Sequence, residues 1–272
     1  MPLRVGFDLD GTVADMYAAL HREAVKLFGE EVLRQAETKP PNPAPSAPDR
    51  GARIPSAKPA VAKQAEAAVK TLENQAQDKP SKPEDDTATN PAMQELHLTA
   101  RQQMQLWDHV KKVENFWSTL SELEPGIISR IARTALARRC EVIFLTTRPS
   151  TAGELVQVQS QRWLQAHGFE FPSVFVVQRS RGKIADALGL DAFVDDRPEN
   201  CLDIAVESKA KVILVWHGNV NEVPAGAKRL GVQPVSTISE AMALLERLDD
   251  VRSQPGIVRS IKRAFGRSGS DL

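Results

Sequence analysis

Residues 142–248 alternate short apolar runs with helical patterns, and this rhythm constrains the fold more than any other feature of the chain. Residues 142–145, 173–177, 192–194 and 211–215 read as strands. Residues 152–166, 182–188, 199–208 and 239–248 read as helices that follow them. A strand that is apolar throughout, rather than at every second position, is covered on both faces. Strands joined by helices run parallel, with right-handed crossovers. The expectation is therefore an α/β fold, a doubly wound, Rossmann-like parallel sheet with helices on both sides. Leu3 to Phe7 adds a strand at the N-terminus. Residues 127–139 add a helix whose basic last turn, Arg138 and Arg139, suits the helix dipole.

The stretch between the first strand and this region is different. Residues 16–35 carry a helical pattern with Leu20, Ala24, Leu27 and Phe28 on one face, and residues 98–120 place Leu106, Trp107, Val110, Val113, Phe116 and Trp117 at helical spacing. Residues 38–91 hold ten of the 18 prolines (Pro40, Pro41, Pro43, Pro45, Pro48, Pro55, Pro59, Pro80, Pro83 and Pro91) and no Phe, Trp or Tyr. Such a segment buries too little apolar area to offset its ordering entropy. It reads as a long disordered insertion, 38–92, with an Ala/Glu/Lys-rich middle: a neutral loop expansion or, alternatively, a tether or docking arm for a protein partner.

Ligands of doubly wound sheets bind outside the carboxyl ends of the strands, and four of those ends carry related polar residues. The first strand ends in Asp8-Leu9-Asp10-Gly11-Thr12, the second in Thr146-Thr147-Arg148, and the fourth in Asp195-Asp196-Arg197; the helix after the third begins near Lys183. Alternate strand residues point the same way, so Asp8 and Asp10 are expected to face one pocket. Neighbouring carboxylates repel unless a proton or cation lies between them. Mg²⁺ favours oxygen ligands, and Asp196 could complete its site. Thr146 or Thr147 offers a hydroxyl, and Arg148 and Lys183 offer positive charge. Together these make a pocket for a phosphoryl group.

These motifs resemble those of the haloacid dehalogenase (HAD) superfamily. FDLDGT at 7–12 is similar to the first family motif, VIFLTT at 142–147 to the second, Lys183 to the third and FVDD at 193–196 to the fourth. The resemblance covers residues 1–36 and 93–248. It implies a phosphomonoester hydrolase in which Asp8 is the nucleophile and Asp10 the general acid and base. Asp8, Asp196 and the Asp10 carbonyl would bind Mg²⁺, with Asp195 supporting them. Thr146 would bond a phosphoryl oxygen, and Lys183 would screen the charge. It also implies a small helical cap, 16–37 and 93–123, over a core of 1–15 and 124–250. NFWSTL at 115–120, Glu124-Pro125-Gly126 and DLDGTVAD at 8–15 resemble the 5′(3′)-deoxyribonucleotidase branch. In that branch Tyr17, Phe28, Trp107, Phe116 and Trp117 would be candidates to stack on a base. Another small phosphorylated metabolite, transfer to an acceptor other than water, and a non-catalytic scaffold are the competing expectations.

The charge balance, 35 basic against 35 acidic residues, gives no general pull toward nucleic acid or anionic membrane. Cys140 and Cys201 can build neither a disulfide framework nor a zinc site. No apolar run is long enough to span a bilayer, and a cytoplasmic setting is the default expectation. The C-terminal tail, 251–272, interleaves Arg252, Arg259, Lys262, Arg263 and Arg267 with Ile257, Val258, Ile261 and Phe265, and reads as a short basic amphipathic helix packed on the domain, with a membrane-surface or nucleic-acid contact as the alternative.

Overall fold

The computed structural model describes residues 2–38, 91–219 and 222–253. Residues 39–90 of the expected insertion and residues 254–272 of the tail lie outside the described residues.

The fold is α/β, as the rhythm of the sequence requires. Its six-stranded sheet contains β1 (Arg4–Asp8), β4 (Glu141–Thr146), β5 (Ser173–Val176), β6 (Ala192–Asp195), β7 (Lys211–Val215) and β8 (Gln233–Val235), in the order β5-β4-β1-β6-β7-β8. Every neighbouring pair is parallel. From β1 the chain winds outward through β4 to β5, then returns to the other side of β1 for β6, β7 and β8. The reversal falls at β1, so the crevice of the switch point opens at the tip carrying Asp8.

Successive strand residues enter opposite apolar clusters, as a strand covered on both faces demands. Phe144, Val194 and Ile213 join one cluster, with Ile131 of α5 (Ile127–Arg138), Trp163 of α6 (Val156–Ala166) and Met242 of α10 (Ile238–Ser253). Leu145, Phe193 and Val212 join the other, with Ala185 of α7 (Arg181–Ala187), Ile204 of α8 (Pro198–Glu207) and Ala227 of α9 (Ala225–Arg229).

Between β1 and β4 lies a helical region: α1 (Met16–Phe28), α2 (Glu30–Thr38), α3 (Pro91–Glu95) and α4 (Ala100–Val110). The helical pattern over 16–35 is two helices, because Gly29 takes φ +84° and its N–H closes on the Val25 carbonyl at 2.9 Å. Asp15 caps α1 by accepting from the Ala18 N–H at 2.9 Å. The expected helix over 98–120 is shorter. Thr99 and Gln102 form a capping box at its start, and it ends at Val110. Asn115 is left-handed at φ +52°, and only a 3₁₀ turn, Phe116–Ser118, follows. The outgoing and returning legs meet as β2 (Ala14–Asp15) and β3 (Ser121–Glu122), an antiparallel pair. Leu20, Leu33, Met93, Leu106 and Phe116 are buried in the same cluster as β1 and β4. Among the described residues no helix is long and apolar enough to cross a membrane.

Candidate active site

The turn after β1 is wound tightly. The N–H groups of Val13 and Ala14 both donate to the Leu9 carbonyl, at 2.9 and 2.8 Å, and Gly11 donates to the Ala14 carbonyl at 3.0 Å. Gly11 sits at φ +82°, and a Cβ there would overlap the Asp196 carboxylate. Glycine is thus required twice, for its backbone angle and for the approach of the fourth acidic strand end.

Asp8, Asp195 and Asp196 converge from β1 and β6: each offers a carboxylate oxygen, and these oxygens lie within 4.8 Å of one another. One side chain from α7 enters the group. Arg181, 5% exposed, donates from Nη1 to Asp8 Oδ1 at 2.6 Å and to Asp195 Oδ2 at 2.5 Å. Asp195 also accepts from the Arg197 N–H at 2.9 Å and from Asn200 Nδ2 at 3.1 and 3.2 Å. Its oxygens are fixed by donors from three residues. Asp196 accepts from the Thr12 hydroxyl at 3.2 Å.

Three carboxylates face one guanidinium in a nearly dry place, and their proton affinities reflect it. Burial pushes Asp8 from 3.8 up to about 7; Arg181 opposes the rise, and the charges of Asp195 and Asp10 add to it. Asp196 is raised well above the ordinary range by withdrawal from water, then by Asp8 and Asp195. Burial works against the charge on Arg181, but Asp8 and Asp195 outweigh it and hold the guanidinium protonated. The cluster carries a surplus of negative charge that a proton or a further cation must balance. Its donor set is all oxygen, which suits a hard divalent ion such as Mg²⁺ and not a thiolate-seeking metal.

Asp10 faces a different partner. Its carboxylate receives a fork from Arg148: Nε lies 3.1 and 2.9 Å from Oδ1 and Oδ2, and Nη2 lies 2.7 Å from Oδ1. The Thr146 hydroxyl donates to Asp10 Oδ2 at 3.4 Å and accepts from the Arg148 N–H at 3.3 Å. Arg148 was expected at the phosphoryl group. Its side chain is instead fully buried and committed to Asp10 and to Ser160 Oγ, 2.9 Å from Nη1. Thr147 is half-buried.

Lys183 was expected to screen the charge beside Asp8. It is exposed, and its backbone N–H donates to Ser180 Oγ at 3.2 Å, the N-terminal cap of α7. The cation beside Asp8 is Arg181. Helix phase could have distinguished them: positions 181 and 183 lie about 200° apart on a helix, and 181 shares the face of buried Ala185. Sequence reasoning also missed Ser160 and Asn200, whose partners come from distant segments. The aromatic side chains 107, 116 and 117 are buried, and Tyr17 and Phe28 pack partly buried against the core cluster. Trp117 lies against Arg148, with the guanidinium carbon 4.9 Å from its ring centroid.

Neither a protein-family model nor a curated protein matches the sequence. Solved structures resemble the fold at low identity. A dehalogenase captured with an intermediate is 14% identical, with a TM-score of 0.47, covering 89% of this chain and 96% of its own. A haloacid dehalogenase-like family hydrolase from Xanthomonas campestris is 15% identical, with a TM-score of 0.43, covering 93% and 98%. A HAD family hydrolase from Deinococcus radiodurans, with bound phosphate and sodium, is 14% identical, with a TM-score of 0.44, covering 90% and 96%.

Proposed function

We propose that this chain is a Mg²⁺-dependent phosphomonoester hydrolase of the HAD type, working through an aspartyl-phosphate at Asp8. The observation that carries the proposal is the division of the acids at one strand tip. Asp8 is buried with Asp195, Asp196 and Arg181, whereas Asp10, two residues on, is held apart by Arg148 and Thr146. A nucleophile and a proton carrier need such separate environments.

Asp8 and Asp196, with Asp195, are the residues that would hold Mg²⁺. The bound ion would neutralise their charge and that of the phosphoryl oxygens. Arg181 opposes the protonation of Asp8 and orients it through its 2.6 Å bond. A carboxylate oxygen of Asp8 attacks phosphorus as the ester P–O bond breaks. Asp10, protonated at that stage, delivers its proton to the departing oxygen. Asp10 then takes a proton from water, whose oxygen attacks phosphorus; free phosphate leaves and the Asp8 carboxylate is restored. Thr146 and Thr147 stand at the β4 tip as hydroxyl donors for the phosphoryl group.

The substrate is a small phosphorylated metabolite. Residues 16–37 and 93–123 act as a cap over the site, and a deoxyribonucleoside monophosphate is the first substrate to test. Burial of the three side chains at 107, 116 and 117 leaves Tyr17 and Phe28 as the aromatic groups a base could reach. The test is phosphate release from nucleoside monophosphates, sugar phosphates and p-nitrophenyl phosphate, with Mg²⁺ and with chelator. Release that needs Mg²⁺ and disappears in Asp8→Asn supports the proposal. A folded chain inert toward the whole panel refutes it, and turnover of sugar phosphates alone removes the nucleotide substrate.

A further inference from the structure

Arg148 is a buried charge with no role in the two-step reaction above. Its donors are spent within the chain, on both oxygens of Asp10 and on Ser160. Its guanidinium lies over two indoles, with the carbon 4.9 Å from the Trp117 ring centroid and 5.9 Å from that of Trp163. Each indole is itself fixed. Trp117 Nε1 donates to the Pro149 carbonyl at 2.9 Å, and its backbone N–H to Gln159 Oε1 at 3.1 Å. Trp163 Nε1 donates to the Leu120 carbonyl at 2.7 Å. The residues that set Arg148 are thus held by one another before any substrate arrives.

The object of this arrangement is one carboxylate. Asp10 lies past the end of β1, in an isolated bridge with Ala14, and its side chain keeps 14% exposure. Left alone, it would turn freely about two torsions. A planar fork on both oxygens removes that freedom, which a point charge such as Lys cannot do. Two N–H groups and the Thr146 hydroxyl occupy about three of the roughly four lone-pair positions of a carboxylate, leaving one for the proton that passes to the leaving oxygen. The fork also ties Asp10 to the returning leg of the helical region. Asn115 donates to the Ala152 carbonyl at 2.8 Å, and Ala152 donates to the Lys111 carbonyl at 2.8 Å, so residues 111–120 and the loop after β4 form one braced unit.

We propose that Arg148, held by Ser160 and resting over the rings of Trp117 and Trp163, is a positioning residue that sets the aim of Asp10 toward the leaving-group oxygen. The proposal rests on the phosphohydrolase reading above and adds to it a group of four side chains: two indoles, the guanidinium they contact and the carboxylate it aims.

The test compares two esters with Mg²⁺ present. Glycerol 2-phosphate leaves as an alkoxide and needs a well-placed proton; p-nitrophenyl phosphate leaves as a stabilised phenolate and needs it far less. In Arg148→Lys, kcat on glycerol 2-phosphate should fall by about 10²-fold with KM little changed, against less than about 10-fold on p-nitrophenyl phosphate. Circular dichroism of each variant shows whether it is folded. Ser160→Ala frees only Nη1 and should show the same selectivity on a smaller scale, about 3- to 10-fold. It decides the matter if Arg148→Lys does not fold. Equal losses on the two esters, in whichever variant is folded, overturn the positioning role while leaving the hydrolase intact. A wild-type chain inert on both esters with Mg²⁺ overturns the hydrolase reading and the positioning role with it.

Discussion

Replacing Asp8 with Asn should stabilise the metal-free protein, and should do so more strongly as the pH rises. Burial lifts Asp8 from 3.8 to about 7, so the folded state holds that proton more tightly than the unfolded chain does. For an acid shifted upward, the cost of ionisation is absent below the unfolded value, grows through the interval between the two, and is complete above the folded value. At about 1.4 kcal/mol per pKa unit, ionised Asp8 costs the chelated fold on the order of 4 kcal/mol at pH 8, and roughly 2 kcal/mol at pH 5. Asn is nearly isosteric and carries no charge. Part of the gain is lost because Arg181 gives up one partner, though it keeps Asp195 at 2.5 Å. That loss is the same at both pH values, so the advantage of Asp8→Asn over wild type should widen by about 2 kcal/mol between pH 5 and pH 8, or roughly 4–8 °C in Tm. Urea or thermal unfolding in EDTA at the two pH values measures it. Saturating Mg²⁺ should stabilise wild type at pH 8 and reduce or reverse the advantage, because the ion binds the site with Asp8 intact. An advantage that does not change with pH, or an Asn variant less stable than wild type in EDTA at pH 8, would refute the reasoning.

Arg181→Leu leaves Asp8 and Asp195 buried without their shared cation and should cost about 3–5 kcal/mol by urea unfolding at pH 8, with loss of phosphate release. Lys183→Ala, on the exposed side of the same helix, should keep kcat/KM within about 3-fold. Gly11→Ala meets both a φ of +82° and the Asp196 carboxylate; it should lower stability by about 1–3 kcal/mol and weaken Mg²⁺ binding by isothermal titration calorimetry. Glu124 accepts from the Ile238 N–H at 2.6 Å and the Ser239 hydroxyl at 2.5 Å, capping α10, so Glu124→Ala should cost about 1–2 kcal/mol in thermal unfolding and leave kcat unchanged.

What was legible in the sequence follows from how local each signal is. The strands of the central sheet announce themselves because burial on both faces leaves an unbroken apolar run, as in residues 212–215. The edge strand β8 escapes notice because it has three residues and one of them, Pro234, cannot donate to a ladder. The β2–β3 pair is two residues on each side and joins positions more than a hundred residues apart. In the candidate site, Asp8, Asp10, Asp195 and Asp196 were readable from their places at strand ends. The choice of Arg181 over Lys183 was present in helix phase but masked by the nearness of several basic residues. Arg148 shows the true limit. Its residue type suits a phosphate clamp, and its commitment to Asp10 is supported by Trp117 and Trp163, which only the fold brings beside it.

The most direct measurement is a chemical trap of the intermediate. The protein is mixed with Mg²⁺ and a phosphate ester that it turns over, quenched, and reduced with borohydride, which converts an aspartyl-phosphate to homoserine. Peptide mass spectrometry then locates the change. Homoserine at position 8, dependent on both Mg²⁺ and ester and absent from Asp8→Asn, is the predicted result. Sustained phosphate release with an unmodified Asp8, or modification at Asp10 in its place, would contradict it.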